Sequence, residues 1–154
     1  MEPDEAREHA KALVRRWVEE AVNQGRLEVL DEIIHPAMVN HEKVTPLDGR
    51  EGFRQTLTFF QQAIAGQRME LLDLIAEGDR VAARLVWSGR PKNPFLGRPV
   101  NGRPFRVTHT HIFRVEDGML AEHWANRDDL GMWQQISTRP VFGEDAPPAG
   151  SGNP

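Results

Sequence analysis

The apolar residues of this chain change their spacing once, near Gly66, and that change limits the folds open to it. Before it they recur every three or four residues, the period of a helix face; after it they alternate, the period of a strand. Ala10, Leu13, Val14, Trp17, Val18, Ala21 and Val22 predict an amphipathic helix over residues 4–23, ended by the left-handed cap that Gly25 permits. Leu27, Val29, Leu30, Ile33 and Ile34 predict a second, shorter helix that Pro36 stops. Residues 37–41 can extend briefly, and residues 43–49 are turn-rich. Phe53, Leu57, Phe60 and Ile64 then predict a third helix from Arg50, about four turns long. Beyond the change, residues 68–77 and 80–88 read as strands joined by the tight turn Gly78-Asp79. Residues 105–115 and 119–127 form a second hairpin across Glu116-Asp117-Gly118. Residues 89–104, rich in proline, glycine and arginine, are an irregular excursion between the hairpins. Three helices followed by about four long antiparallel strands make an α+β pattern, with helices laid on one face of a curved sheet.

One domain over residues 1–143 is expected, because 154 residues suffice for a single full core. Residues 144–154, EDAPPAGSGNP, have the composition of a disordered tail. Cysteine is absent, which removes disulfides, thiolate nucleophiles and cysteine zinc sites. The formal charge is −4 with both signs scattered, so nucleic acid is not an expected partner. No apolar run reaches the ~20 residues of a membrane span, and the acidic, polar N-terminus is unlike a signal peptide. A cytoplasmic protein is the expectation. Neither a phosphate-cradling GxxxxGK[ST] nor a GxGxxG or GxSxG motif occurs.

Chemistry-bearing residues crowd into residues 109–133, which hold three of the six histidines and two of the four tryptophans. Alternation places His109, His111, Phe113 and Val115 on one face of the third strand. In the last strand Glu122, Trp124, Asn126 and Asp128 share a face, opposite Ala121, His123, Ala125 and Arg127. Taking Phe113 and Trp124 as marks of the helix-covered side, His109, His111, Glu122, Asn126 and Asp128 point inward. His123 is then expected outward or in a subunit contact. Polar groups on an apolar inner face carry a desolvation cost unless paired or in use. From spacing alone Asp128 has two readings that stand level, a general acid/base and a cap of the following turn. His109-x-His111 invites a metal, but no spacing fixes His41, Glu122 or Asp128 as third ligand; histidines hydrogen-bonded in a polar pocket are preferred, and no metal is expected. Asn40, His41 and Glu42 are candidates for the pocket mouth, while Trp17, Phe53, Phe59, Phe60 and Trp87 suit core or pocket wall.

Four ordered stretches carry a family resemblance: residues 49–55 (GREGFRQ), 73–84 (DLIAEGDRVAAR), 113–118 (FRVEDG) and 122–131 (EHWANRDDLG) with Gln134-Gln135. Together, over about residues 8–137, they resemble the SnoaL-like polyketide cyclase (ester cyclase) family of the NTF2-like superfamily. The resemblance implies an α+β cone, a bent antiparallel sheet wrapped round a pocket and closed by three N-terminal helices. It also implies an intramolecular aldol-type ring closure of a polyketide or similar aromatic carbonyl compound, without metal or cofactor. Asp128, four residues after Trp124, matches the position of the family's general acid/base, with His109 or His111 as a donor to the enolate oxygen. The substrate-binding set then comprises Asn40, His41, Trp87, Phe113, Glu122, Trp124 and Asn126. A small hydrophobic carbonyl substrate and a homodimer are the partners implied. Hydrolysis or isomerisation in the same pocket, or a non-catalytic binding module, are the alternatives that this fold also serves.

Overall fold

Helix α1 (Pro3–Arg16) buries Ala10, Leu13 and Val14, and the chain then widens without a break into a π-helix, Trp17–Asn23. The computed structural model describes residues 1–143, so the tail expected over residues 144–154 lies outside the described residues. The π segment shows in its long-step bonds: Gln24 N–H donates to Glu19 C=O at 3.1 Å. Trp17, Val18, Ala21 and Val22 are buried together against the sheet.

The second apolar stretch is shorter as a helix than its spacing suggested. A 3-10 turn (Leu27–Val29) leads into α2 (Leu30–Ile33), and the chain is extended from there as β1 (Ile34–Asn40). Pro36 is therefore a strand residue, tolerated because β1 is an edge. Helix α3 (Gly49–Ala63) follows, then β2 (Ile64–Glu77), β3 (Arg80–Pro91), β4 (Phe105–Glu116), β5 (Met119–Arg127) and a last helix, α4 (Asp129–Ile136).

The sheet has the order β1-β5-β4-β3-β2. The expected antiparallel run is present from β2 to β5, and a fifth strand, β1, adds to its edge in parallel with β5. Register shifts in β2, between Ala65 and Arg68 and between Leu71 and Asp73, bend the sheet about its concave side. On that side lie Val81, Ala83, Leu85, Trp87, Phe105 and Phe113, all buried, covered by Trp17 and Val18 from the first helix and Phe53 from α3.

One irregularity decides the site. Glu116 pairs with Met119 and Val115 with Leu120, but Arg114 pairs with Glu122, so Ala121 is an extra residue in β5. Beyond such a bulge every side chain exchanges faces. Phe113, His111 and His109 consequently stand opposite His123, Ala125 and Arg127, and the inward face of β5 is the reverse of the one expected.

Candidate active site

The bulge carries His123 inside. It is 5% exposed and joins His109 and His111, each 3% exposed, in a buried row across β4 and β5. The expectation that His123 faces outward is corrected by this register. The rings of His111 and His123 meet edge to edge, with planes 10° apart and centroids 5.2 Å apart, while Trp17 stands edge-on to His111 at 5.0 Å and Phe53 edge-on to His123 at 5.6 Å.

A small cavity opens beside this row. Asn40, Trp87, His109 and His111 line it as expected, together with Trp17, His123 and Arg127. Mostly apolar and aromatic walls with a few convergent polar groups are the make-up of a small-molecule site. Among the described residues its charged lining consists of Arg127 and Glu42, which pair with each other at 3.1 Å.

Three polar atoms in this wall are buried with no hydrogen-bond partner: Trp17 Nε1, Asn40 Nδ2 and His109 Nε2. Leaving such groups unpaired costs about 1–3 kcal/mol each, and their gathering round one cavity marks it as built for a polar ligand. The indole and the amide nitrogen only donate, whereas an imidazole nitrogen without hydrogen accepts. The wall thus offers two donors and one candidate base. His109 is held at about 3, first by burial and then by the Arg127 guanidinium. Burial and Arg127 likewise hold His123 at about 3, and burial holds His111 well below its ordinary value. All three imidazoles are neutral at neutral pH.

The other expected site residues stand elsewhere. Glu122, Trp124 and Asn126 are on the outer face, because the bulge reverses them. Glu122 accepts from His41 Nε2 at 2.9 Å and from Arg114 Nε at 2.9 Å, and these bonds, His41 first, lower its pKa. Trp124 lies flat against His41 at 5.1 Å with Arg80 over its ring at 5.0 Å, so His41 belongs to this outer cluster and not to the cavity wall. Phe113 is inward and fully buried, packed behind the wall against Trp17 and His123. Asp128 is exposed and outside the cavity lining. Its Oδ1 accepts from the Gly131 N–H at 2.8 Å, which makes Asp128 the N-cap of α4 and Asp129 the first helical residue. Among the described residues no group of three or more His, Asp or Glu side chains is arranged to hold a metal ion. The histidine nitrogens instead point at one another.

Trp17, His123 and Arg127 are the site residues that spacing missed. Helical spacing accounts for Trp17 as core or pocket wall, and a buried indole without partner is visible only in three dimensions. His123 and Arg127 were hidden by the bulge.

Among known proteins, the family model described as SnoaL-like polyketide cyclase matches residues 12–136. The aklanonic acid methyl ester cyclase DnrD of Streptomyces peucetius is 32% identical over 128 residues, covering 80% of this chain and 88% of that protein. The nogalonic acid methyl ester cyclase of Streptomyces nogalater is 29% identical over 119 residues, covering 75% of this chain and 89% of that one. The solved structure of TsrD from Streptomyces laurentii superposes with a TM-score of 0.77 at 34% identity, covering 84% of this chain and 95% of that one.

Proposed function

Since the chain belongs to the SnoaL-like polyketide cyclase family, we propose that it closes a ring within a polyketide carbonyl compound, with His109 as acid/base and no cofactor. The observation that carries this reading is the unpartnered His109 Nε2 beside two unpartnered donors in one cavity wall. In the reaction His109 Nε2 takes a proton from a carbon next to a carbonyl. Trp17 Nε1–H and Asn40 Nδ2–H hold the enolate oxygen that forms. The enolate carbon attacks a second carbonyl of the same molecule, one C–C bond forms, and the new alkoxide takes the proton back from His109. Substrate and product are isomers, so atoms and oxidation state balance without a redox partner or activated donor.

His109 is a weak base at about 3. A weak base suits only an acidified C–H, and a carbon between two carbonyls is one; poly-β-carbonyl chains are built of them. The largely apolar wall of Trp17, Phe53, Phe60 and Trp87 suits an aromatic substrate, and folding it within the cavity brings its second carbonyl into range.

The test uses aklanonic acid methyl ester and nogalonic acid methyl ester, the compounds for which the relatives are named. Wild-type protein should convert one of them into an isomer of unchanged mass. Uptake of water would identify a hydrolase, and binding without conversion a non-catalytic module. His109→Gln should lower turnover by about 10²- to 10⁴-fold, the usual weight of general acid/base catalysis. Asp128→Asn, which keeps the cap of α4, should turn over like wild type. The opposite pattern would move the acid/base to Asp128 and overturn this assignment. We further propose that two copies pair through the open outer face of the sheet, where Ile112 stays 37% exposed. Light scattering should then give twice the chain mass, and a monomer at high concentration would exclude it.

A further inference from the structure

The three buried histidines do not stand independently. Asn40 Oδ1 lies 2.8 Å from His123 Nδ1, His123 Nε2 lies 2.8 Å from His111 Nδ1, and His111 Nε2 lies 3.3 Å from His109 Nδ1. Such a chain has two possible senses, and the direction of each proton normally has to be assigned and not observed. Here one atom outside the row decides it. The backbone N–H of Glu42 donates to the same Asn40 Oδ1 at 3.0 Å. A backbone N–H can only donate, so the atom it meets is the amide oxygen and not the amide nitrogen.

The rest follows link by link. Facing an oxygen that only accepts, His123 must carry its hydrogen on Nδ1. A neutral imidazole has one N–H, so His123 Nε2 is bare and accepts from His111 Nδ1. By the same step His111 Nε2 is bare and accepts from His109 Nδ1–H. The last bare nitrogen in the row is His109 Nε2, the atom with no partner in the cavity wall.

We infer that Asn40 is a positioning residue which, through His123 and His111, fixes His109 as its Nδ1–H tautomer and keeps Nε2 free to accept a proton from a ligand in the cavity. The tautomer chain stands on geometry alone; its catalytic meaning rests on the reading of His109 as acid/base given above. The Nδ1–H form is the minor one for a free imidazole in water, so a histidine without this row would mostly present a hydrogen at Nε2 and be unable to act as base there. The aligned N–H groups all point along the row, from His109 toward Asn40. As His109 gains positive charge, each bond in the row strengthens in turn, which favours the protonated intermediate. Because Asn40 Oδ1 cannot take a hydrogen, the row has no exit at its far end. The proton must leave where it entered, which suits a reaction that returns it to the product.

The experiment records long-range 1H–15N correlations of the imidazole nitrogens in full-length, uniformly 15N-labelled protein, without ligand. In the wild type all three histidines should appear as neutral Nδ1–H tautomers. His123→Phe keeps a ring of similar size between Phe113 and His111 but cuts the row; His109 should then shift to a mixture rich in Nε2–H. With aklanonic acid methyl ester, the same variant should lose about 10²- to 10⁴-fold in kcat with KM little changed, the signature of a base in the wrong tautomer. Asn40→Asp keeps an acceptor toward His123 and Glu42 and should keep the Nδ1–H pattern, although it removes the Nδ2 donor. A wild-type His109 protonated at Nε2 would overturn the inference, as would an unchanged His109 tautomer in folded His123→Phe. If the wild-type row is as expected and no ester is cyclised, the row stands and the cyclase reading fails.

Discussion

At the scale of single residues, Asp128 meets a local need of the backbone. Its carboxylate closes the start of α4 on Gly131 N–H, and a Cβ at Gly131 would lie 2.2 Å from Asp128 Oδ2. Glycine at that position is therefore what allows the cap to seat. Asp128→Ala should cost about 1 kcal/mol, whereas Asp128→Asn should cost only a few tenths. For a chain of this size the alanine variant should melt roughly 2–4 °C lower, measured by calorimetry, with the asparagine variant close to wild type. Equal melting temperatures for all three would show that the cap contributes nothing. Both readings of Asp128 were visible in the sequence, since aspartate before a short apolar helix is an ordinary cap and aspartate near tryptophan and histidine an ordinary acid/base. What separates them is the direction of the side chain, and that depends on residues several positions away.

Between elements, the pairing of β4 with β5 is where sequence reasoning stopped. The hairpin itself, its turn and both strand boundaries were legible, with β5 spanning Met119–Arg127 as expected. Alternation counted from the turn puts Trp124 opposite His111, and the extra residue Ala121 puts Ala125 there instead. An alanine in a bulge looks like any strand alanine, so nothing in the sequence announces the exchange of faces. Its consequence reaches stability. A histidine in the unfolded chain gains a proton near pH 6.5, whereas folded His109 and His123 stay neutral down to about 3. Below about pH 6.5 the unfolded state therefore binds more protons, and acid favours unfolding. The stability these neutral histidines allow is complete above about 6.5 and is lost progressively toward about 3. Each contributes a slope approaching 1.4 kcal/mol per pH unit, about the value for one proton. Urea midpoints followed from about pH 7.5 to 5, above most carboxylate titration, should fall steadily. His123→Phe should flatten that fall by about one proton's worth; an unchanged slope would mean that His123 is not held neutral.

For the molecule as a whole, the change of apolar period near Gly66 was enough to order helices before sheet and to place a covered concave face. Two long-range features were not legible. The π-helix that presents Trp17 to the cavity keeps helical spacing, and a strand as short as β1 with a proline in it reads as the end of a helix. Yet β1 supplies Asn40 from the sheet edge beside β5, 83 residues before the His123 it meets. During synthesis, then, Asn40 emerges long before the strand that completes its partner row. Until β5 has left the ribosome and lain down beside β1, the row from Asn40 to His109 cannot form, and a nascent or truncated chain carries Trp17 and Trp87 without it. On the proposed role of His109, turnover then counts completed chains, where a fold-sensitive probe of the helices would count partial ones as well.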